Sequence, residues 1–187
     1  MICLSGNLPA LKIGHQHVIG YHTDWIQEAL QRAAAACDLK DCPFLEDLSE
    51  GILYYLEKRC SLRVFAIEDL YARMRKMLRK IGYPEIAQHL SPLAPPVTVS
   101  LIGPALDAGP KNLGAFFKIL LEEISLLQED GAELINFCDI NASIEILLGQ
   151  CSETSRARLK DEISAFLENY RQLHQQPKFE FSVTLDS

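Results

Sequence analysis

Three histidines lie close together near the start of the chain, at positions His15, His17 and His22. Side chains two residues apart on a β-strand point to the same face, so the first two have the spacing to ligate one metal ion. Zinc would need a third or fourth ligand, for example Cys3 or a carboxylate. Because no sequence spacing supplies that ligand, we interpret the histidines as part of a polar hairpin turn and expect no metal.

A second stretch with chemical interest is the loop at residues 103–112, which joins a predicted strand to a predicted helix. Gly109, Lys111 and Asn112 precede that helix, and backbone N–H groups at a helix N-terminus can hold an anion. The loop matches neither the G-x-x-x-x-G-K-[ST] nor the G-x-G-x-x-G pattern of phosphate-binding loops. We therefore interpret it as structural, and an enzyme with its site near this loop stays open as an alternative.

Two groups of charged residues are interpreted as solvated helix faces. The third predicted helix places Arg73, Lys76 and Lys80 along one stripe, which favours solvent exposure or the attraction of an anionic partner. Glu122 and Glu123 are consecutive on a predicted helix, so they point in different directions and make a poor pair for acid–base catalysis. The sequence contains no nucleophile–base signature, and we predict no catalytic residue.

The composition indicates a globular chain with an acidic second half. Of 187 residues, 48% are hydrophobic, which is enough apolar material to form a core. The net charge of −7 falls entirely on residues 95–187, which hold 7 Lys or Arg and 14 Asp or Glu, whereas residues 1–94 hold 11 of each. Nucleic-acid binding needs a cationic surface, so we expect no nucleic-acid partner.

No segment predicts secretion or membrane insertion. The opening residues lack a basic start and a long apolar stretch, and no run approaches the roughly 18 apolar residues of a membrane span. Six cysteines are present without a C-x-x-C pair, which is typical of free thiols in a reducing compartment. We therefore expect a cytoplasmic protein without a membrane partner.

The sequence predicts two domains, over residues 1–92 and 97–187, joined by a proline-rich linker. Residues 91–96 read SPLAPP, and so many prolines do not fit inside a helix or a central strand. The apolar periodicity also changes at this point, from helical spacing before the linker to alternation after it.

The first block has the pattern of a β-hairpin followed by four helices. The helices are predicted within residues 24–36, 44–60, 64–83 and 84–90. Asp24 and Gln27 have the spacing of a capping box at the first helix. Gly82 fits the end of the third helix, and Pro84 fits the first position of the fourth.

The second block alternates, and its order predicts an α+β fold. Strands are predicted over residues 97–103, 132–140, 142–149 and 178–186, with helices over 113–131 and 153–173. The two middle strands flank Asn141, which tolerates turn geometry, so they are predicted to form a hairpin. The order β-α-β-β-α-β is that of the split βαβ, or ferredoxin-like, arrangement.

Several residues of the first block repeat a known pattern. Lys12 stands two residues before the hairpin glycine Gly14, and Tyr21 stands five residues before the helix residue Ile26. The third helix contains IEDL, and the stretch LRKIGYPEIA has the spacing L-x-x-x-G-x-x-x-x-A. Together these motifs, within residues of about 10–90, resemble the ATP-cone domain. That family is a regulatory nucleotide-binding module of ribonucleotide reductases and of their bacterial transcriptional repressor.

The resemblance implies a hairpin and four-helix fold that binds ATP or dATP. It implies a nucleotide site at Lys12, Gly14, His15, Tyr21 and Ile26. The family pattern has two consecutive basic residues before the glycine and a lysine before the helix isoleucine, and these cations neutralise the triphosphate. Here the hairpin offers Lys12 alone and Trp25 occupies the second position, so fewer donors are available than triphosphate recognition normally uses.

We therefore expect a non-enzymatic regulatory protein, in which a nucleotide-sensing domain is coupled to an interaction domain. The interaction domain would pair with a protein partner or with a second copy of itself. Two alternatives stay open: a degenerate cone that binds protein without a small ligand, and an enzyme with its site near residues 103–112. The reduced cationic set favours the first alternative.

Overall fold

The computed structural model describes residues 8–39, 42, 44–149 and 151–173, together with the backbone of 180–183. The chain divides into two compact units: Met1–Pro95 with Glu129–Gly131, and Pro96–Gln128 with Ala132–Ser187. Each unit combines helices with a small sheet, which confirms the predicted α+β class. Within the described ranges, no helix is both long enough and apolar enough to cross a membrane.

A three-stranded sheet opens the first unit. Its strands are β1 (Ala10–Ile13), β2 (Gln16–Val18) and β3 (Val64–Ala66), in the order β2-β1-β3. β1 pairs antiparallel with β2, which forms the predicted hairpin, and parallel with β3. The stretch of β3 was predicted as the start of a helix, and that prediction is wrong. Val64 and Phe65 favour a strand, and the pairing with β1, which is distant in sequence, decides the outcome.

The described residues of the first unit also form four helices. They are α1 (Asp24–Ala35), α2 (Phe44–Lys58), α3 (Ile67–Lys80) and α4 (Pro84–His89). Each buries one apolar stripe, as the periodicity predicts. The predicted capping box is wrong: α1 begins at Asp24 itself, and the preceding Thr23 makes no side-chain capping hydrogen bond.

Gly82 ends the α3 region in the predicted way. It adopts a φ of +94°, a conformation that glycine enters without steric penalty. The Tyr83 N–H donates to the Leu78 carbonyl at 2.9 Å, and the Gly82 N–H donates to the Arg79 carbonyl at 3.4 Å. This is the hydrogen-bond pattern of a Schellman motif. Pro84 then occupies the first turn of α4, where its missing N–H is not needed.

A three-stranded parallel sheet runs through the second unit. Its strands are β4 (Val97–Ser100), β5 (Leu134–Cys138) and β6 (Glu180–Val183), in the order β4-β5-β6. Parallel neighbours need crossover connections. Four helices supply them: α5 (Ile102–Ala108), α6 (Leu113–Glu129), α7 (Ile140–Leu148) and α8 (Glu153–Leu173).

This arrangement corrects the predicted ferredoxin-like order of the second unit. The strand predicted over residues 142–149 is wrong, because this stretch lies in helix α7. Ile140, Ile144 and Leu147 are buried at helical spacing. A short apolar run of this length fits a buried strand and a buried helix alike, so periodicity did not separate them. The predicted hairpin around Asn141 is therefore also wrong, and the described strands of this sheet are all parallel.

Element boundaries in the second unit also differ from the prediction, and the strand predicted over residues 132–140 is present as Leu134–Cys138. The strand predicted over residues 97–103 ends at Ser100, and the unpredicted helix α5 follows it. The helix predicted over 113–131 ends at Glu129. The strand predicted over 178–186 is present as Glu180–Val183, and the rest of that prediction lies outside the described residues.

Candidate functional site around the hairpin turn

The hairpin turn consists of two residues, Gly14 and His15. The register pairs Ile13 with Gln16 across the strands, so only these two residues connect them. Gly14 has a φ of +54°, and a two-residue hairpin turn with glycine first places that residue in the positive-φ region. The sequence thus specifies a tight turn, and His15 stands exposed at its tip.

Lys12 and His17 lie side by side on the outer face of the sheet. They are cross-strand partners in the register of β1 and β2, and both are exposed. Leu11 and Ile13, which alternate with Lys12, are fully buried on the opposite face. Directly opposite residues of an antiparallel pair have Cβ atoms about 4.5–5.5 Å apart, so one anionic group can contact both side chains.

The Gly14 backbone N–H donates a hydrogen bond to a carboxylate from a distant part of the chain. Its acceptor is the Asp130 Oδ2 atom, at a distance of 2.6 Å in a partly buried position. Asp130 belongs to the Glu129–Gly131 segment, which is part of the first unit. A backbone N–H that holds an ionised oxygen makes a charge-assisted hydrogen bond, shorter and stronger than a neutral one.

The same segment is held at a second point by its glycine. The Ala94 N–H donates to the Gly131 carbonyl at 2.8 Å. Gly131 has a φ of +86°, and a Cβ added to it would lie 2.4 Å from the Pro92 carbonyl oxygen. Only glycine therefore fits this close approach of two backbones.

Tyr71 fixes the other side of residues 92–94, which we call the strap. Its hydroxyl donates to the Leu93 carbonyl and accepts from the Leu93 N–H, each at 2.9 Å. Tyr71 is fully buried, and burial raises the pKa of its phenol. Both hydrogen-bonding groups of Leu93 are thereby satisfied in a buried environment, as burial requires. The strap lies between this phenol and Gly131.

Tyr21 and Ile26, two of the predicted site residues, lie in the core of the first unit. Ile26 is fully buried, and Tyr21 is 8% exposed with its hydroxyl donating to the Pro9 carbonyl at 2.9 Å. Desolvation, with a smaller contribution from Cys60, raises the pKa of Tyr21 to about 12. Of the predicted set, Lys12, Gly14 and His15 are grouped at the turn, whereas Tyr21 and Ile26 are buried in the core.

A row of aromatic rings connects this core to the strap. The ring centroids of Tyr21 and Trp25 are 6.4 Å apart, and those of Trp25 and Tyr71 are 6.3 Å apart. Such tilted pairs stabilise a core beyond the area that they bury. Trp25 occupies the position of a lysine in the ATP-cone pattern. It is 6% exposed, and its Nε1 has no hydrogen-bond partner among the described residues. It fills space in the core and supplies no cation.

The three histidines near the start of the chain lie on different elements. His15 lies at the turn, His17 lies on β2, and His22 precedes α1. The part of the chain that the structure describes holds no group of three or more His, Cys, Asp or Glu side chains suited to a metal ion.

Part of the basic stripe on α3 is engaged locally. Arg73 donates to the Tyr55 hydroxyl at 2.7 Å, and its guanidinium carbon lies 5.2 Å from the centroid of the Phe65 ring. Lys76 and Lys80 are exposed, as a solvated helix face requires. Arg73 thus packs along aromatic side chains while its charge stays near water.

The donors of the 103–112 loop are used within the second unit itself. The Lys111 N–H donates to the Leu147 carbonyl at 2.8 Å, and the Gly109 N–H donates to the Ala105 carbonyl at 3.1 Å. The Asn112 side chain accepts from the Ala115 N–H at 3.3 Å and caps α6. The loop itself is shorter than predicted, because residues 103–108 lie in helix α5 and only residues 109–112 connect it to α6. The contacts of these connecting residues fit a structural interpretation.

Sequence reasoning missed a polar cluster at the carboxyl ends of β4 and β5. The Ser100 hydroxyl donates to Asp139 Oδ2 at 2.5 Å, and the Cys138 thiol donates to the same oxygen at 3.3 Å. The hydrogen bond from Ser100 lowers the pKa of Asp139 most, and the one from Cys138 lowers it further. Asp139 also has a φ of +62°, which is uncommon for a residue other than glycine. Parallel strand ends share one edge of a sheet, so a parallel prediction would have brought these residues together.

One acidic residue was also interpreted wrongly. Glu123 was predicted to be a solvated charge, but it is 8% exposed, beside the buried Ile124 on α6. Glu122 has the exposed position that was predicted and lies 3.7 Å from the Lys118 ammonium one turn earlier. These two consecutive glutamates therefore differ in burial, and the residue type alone does not reveal which of them is buried.

Comparison with protein-family models, with curated proteins and with solved structures gave no match to this chain.

Proposed function

We propose that the chain is a non-enzymatic regulatory protein whose first unit binds an adenine nucleotide at the hairpin turn. The observation that carries the proposal is the Gly14 N–H, which is directed at an anionic oxygen 2.6 Å away. A donor in this position is suited to a phosphate oxygen, because phosphate and carboxylate oxygens accept the same charge-assisted hydrogen bond. The motif resemblance to the ATP-cone domain and the hairpin followed by four helices support the choice of ATP or dATP.

The side chains around the turn set the expected affinity. Lys12 supplies one positively charged side chain, His17 stands opposite it, and His15 adds a ring at the tip. The ATP-cone pattern has two further cations. Each charge-assisted contact contributes about 1.5–3 kcal/mol. At about 1.4 kcal/mol per tenfold, two missing cations weaken binding by roughly a hundredfold to ten-thousandfold. A domain with the full set of cations that bound at micromolar nucleotide would therefore bind near the millimolar range without two of them, and we expect such weak binding here.

The buried residues of the predicted set act indirectly in this proposal. Tyr21 and Ile26 are buried in the core of the first unit, and we propose that this core holds the turn backbone in a fixed position. A fixed donor loses less entropy on binding than a mobile one, so these residues preorganise the turn. The ligand contacts are assigned to Lys12, Gly14, His15 and His17.

Calorimetric titration of the full chain with ATP, dATP and ADP tests the proposal. We expect millimolar binding of the triphosphates, weaker binding of ADP, and at least about tenfold weaker ATP binding in Lys12→Gln. Lys80→Gln is the matched control, because it removes the same charge from the far end of α3. That position lies about 20 Å along the helix from Ala66, the β3 partner of Lys12. A folded chain that shows no heat with any nucleotide would contradict the proposal.

A protein-interaction function without a small ligand is the second candidate. Exposed apolar side chains near the sheet favour it: Ile19 follows β2 and is 50% exposed, and Val64 on the edge strand β3 is 44% exposed. Exposed apolar residues beside an open strand edge are suited to contact with another chain. In this case nucleotide has no effect, and sedimentation shows concentration-dependent self-association that Val64→Asp weakens. A monomer at all concentrations would remove the self-pairing form of this candidate.

A further inference from the structure

We infer that Asp130 is an internal competitor for the nucleotide phosphate, so that ligand binding at Gly14 releases the Glu129–Gly131 segment. This inference rests on the proposed function, because it concerns the regulation of the same turn. Its basis is that the one backbone donor of the turn glycine already holds an acidic side chain of the chain itself.

A single N–H group cannot hold two anionic oxygens at hydrogen-bond distance. The Asp130 carboxylate occupies the Gly14 N–H at 2.6 Å, so a phosphate oxygen can reach that donor only when the carboxylate leaves. A carboxylate that stayed nearby would also repel a triphosphate, since like charges in a partly buried position are screened only weakly. The free chain is therefore in a closed state with respect to its own ligand.

The segment that carries Asp130 is short and is tied next to the contact. Gly131 follows Asp130 directly, and its carbonyl accepts from the Ala94 N–H at 2.8 Å. The near contact of Gly131 with Pro92 leaves little room to shift the segment while it stays docked. Removal of the carboxylate from Gly14 consequently weakens both attachments together, which gives the segment two discrete positions, docked and released.

The segment is connected on both sides to elements of the second unit, so its release is a change that the second unit can respond to. Helix α6 ends at Glu129, and strand β5 begins at Leu134. The rest of α6, up to Gln128, and the whole of β5 belong to the second unit, whereas Glu129–Gly131 belongs to the first. A ligand can shift an equilibrium only if it favours one state over the other. Here a phosphate favours the released state, because only that state offers the Gly14 donor.

Binding of inorganic triphosphate to Asp130→Asn and to Glu129→Gln separates competition from simple charge removal. Both variants remove one negative charge from the same segment, but only Asp130 holds Gly14. An amide leaves the donor more readily than a carboxylate and does not repel phosphate. We expect Asp130→Asn to bind triphosphate about tenfold more tightly than the unmodified chain, or about 1.4 kcal/mol. Glu129→Gln should differ by less than about twofold from the unmodified chain.

The outcomes of this titration distinguish the inference from the proposed function. Equal affinities of Asp130→Asn and Glu129→Gln, with clear binding to the unmodified chain, overturn the competition and leave the nucleotide site in place. Binding to Asp130→Asn alone supports the inference strongly, since the closed state then excludes the ligand. No binding to any of the three folded chains overturns the proposed function, and the inference fails with it.

Amide hydrogen exchange of the unmodified chain gives an independent measurement that needs no variant to fold. The Ala94 N–H is bonded to Gly131, so release of the segment exposes it. The Gly14 N–H is hydrogen-bonded to Asp130 before binding and to the phosphate after it, so it stays protected from hydrogen exchange. We expect saturating triphosphate to speed exchange at Ala94 at least severalfold, without speeding exchange at Gly14. Slower exchange at both amides would mean that the ligand tightens the docked segment, which contradicts the inference.

Discussion

Replacing Gly131 with alanine tests the close approach that holds the Glu129–Gly131 segment. A Cβ at this position would lie 2.4 Å from the Pro92 carbonyl oxygen and 2.8 Å from the Leu93 nitrogen. Both are backbone atoms, so no side-chain rotation relieves the overlap. Gly131 also has a φ of +86°, a conformation that costs a residue with a Cβ about 1–2 kcal/mol.

The magnitude follows from the two responses open to the variant. If the segment stays docked, the chain carries both the backbone strain and the overlap. If the segment leaves, the chain loses the Asp130–Gly14 hydrogen bond, about 1.5–3 kcal/mol, and the Ala94–Gly131 hydrogen bond, about 0.5–1.5 kcal/mol. The sum of about 2–4.5 kcal/mol is an upper limit, because the variant adopts whichever of the two responses costs less. We therefore expect urea denaturation to show a loss of about 2–4 kcal/mol in the free energy of unfolding of the first unit.

Gly82→Ala is the matched control for this substitution. Gly82 has a φ of +94°, but a Cβ there would meet nothing within 4 Å. The control therefore carries the strain of a positive φ without the overlap, and we expect it to lose about 1–2 kcal/mol. It should leave amide exchange at Ala94 unchanged, whereas Gly131→Ala should accelerate it. Equal losses in the two variants, with equal exchange at Ala94, would refute the reasoning.

Three further predictions concern hydroxyl groups. Tyr71→Phe leaves two buried backbone groups of the strap without their partner, and calorimetry should show a loss of about 2–5 kcal/mol in the free energy of unfolding. The pKa of Tyr21 is raised from 10.0 to about 12 in the folded chain, so its stabilising effect is complete below pH 10 and is lost as the pH rises toward 12. Urea midpoints from pH 9 to 12 should fall less steeply in Tyr21→Phe, and parallel curves would contradict this. Ser100→Ala should raise the pKa of Asp139 as read by carboxyl NMR, and Ser125→Ala, whose hydroxyl contacts only a helix carbonyl, should not.

Local signals in the sequence were sufficient for most of the first unit. The Gly-His turn, the periodic helices and the Gly82 ending each depend on residues close together in the chain, and the structure confirms them. β3 escaped prediction because its three residues become a strand through pairing with β1. In the second unit, the apolar stretch of α7 was short enough to fit a strand equally well. That one error converted a parallel sheet into a predicted hairpin.

The contacts of the candidate site are of the kind that a sequence pattern does not contain. Gly14 and Asp130 are 116 residues apart, and no periodicity or motif links them. The motif resemblance pointed to Lys12, Gly14 and His15 at the turn but gave no indication of an acidic partner. It grouped Tyr21 and Ile26 with them, although burial separates these two from the surface. A pattern records which residue types recur, and it does not say whether each contacts a ligand or the core.

Titration of the glycine-¹⁵N-labelled full chain with ATP tests most directly that the Gly14 N–H is a nucleotide donor. The chain has ten glycines, so the amide spectrum is simple enough to follow each one. We predict that the Gly14 signal moves progressively and saturates near millimolar ATP, and that Gly131 moves with it as the segment leaves. Gly51, exposed on α2, should stay in place. An unchanged Gly14 signal well above millimolar ATP, in a spectrum that is otherwise that of the folded protein, would contradict the proposed function.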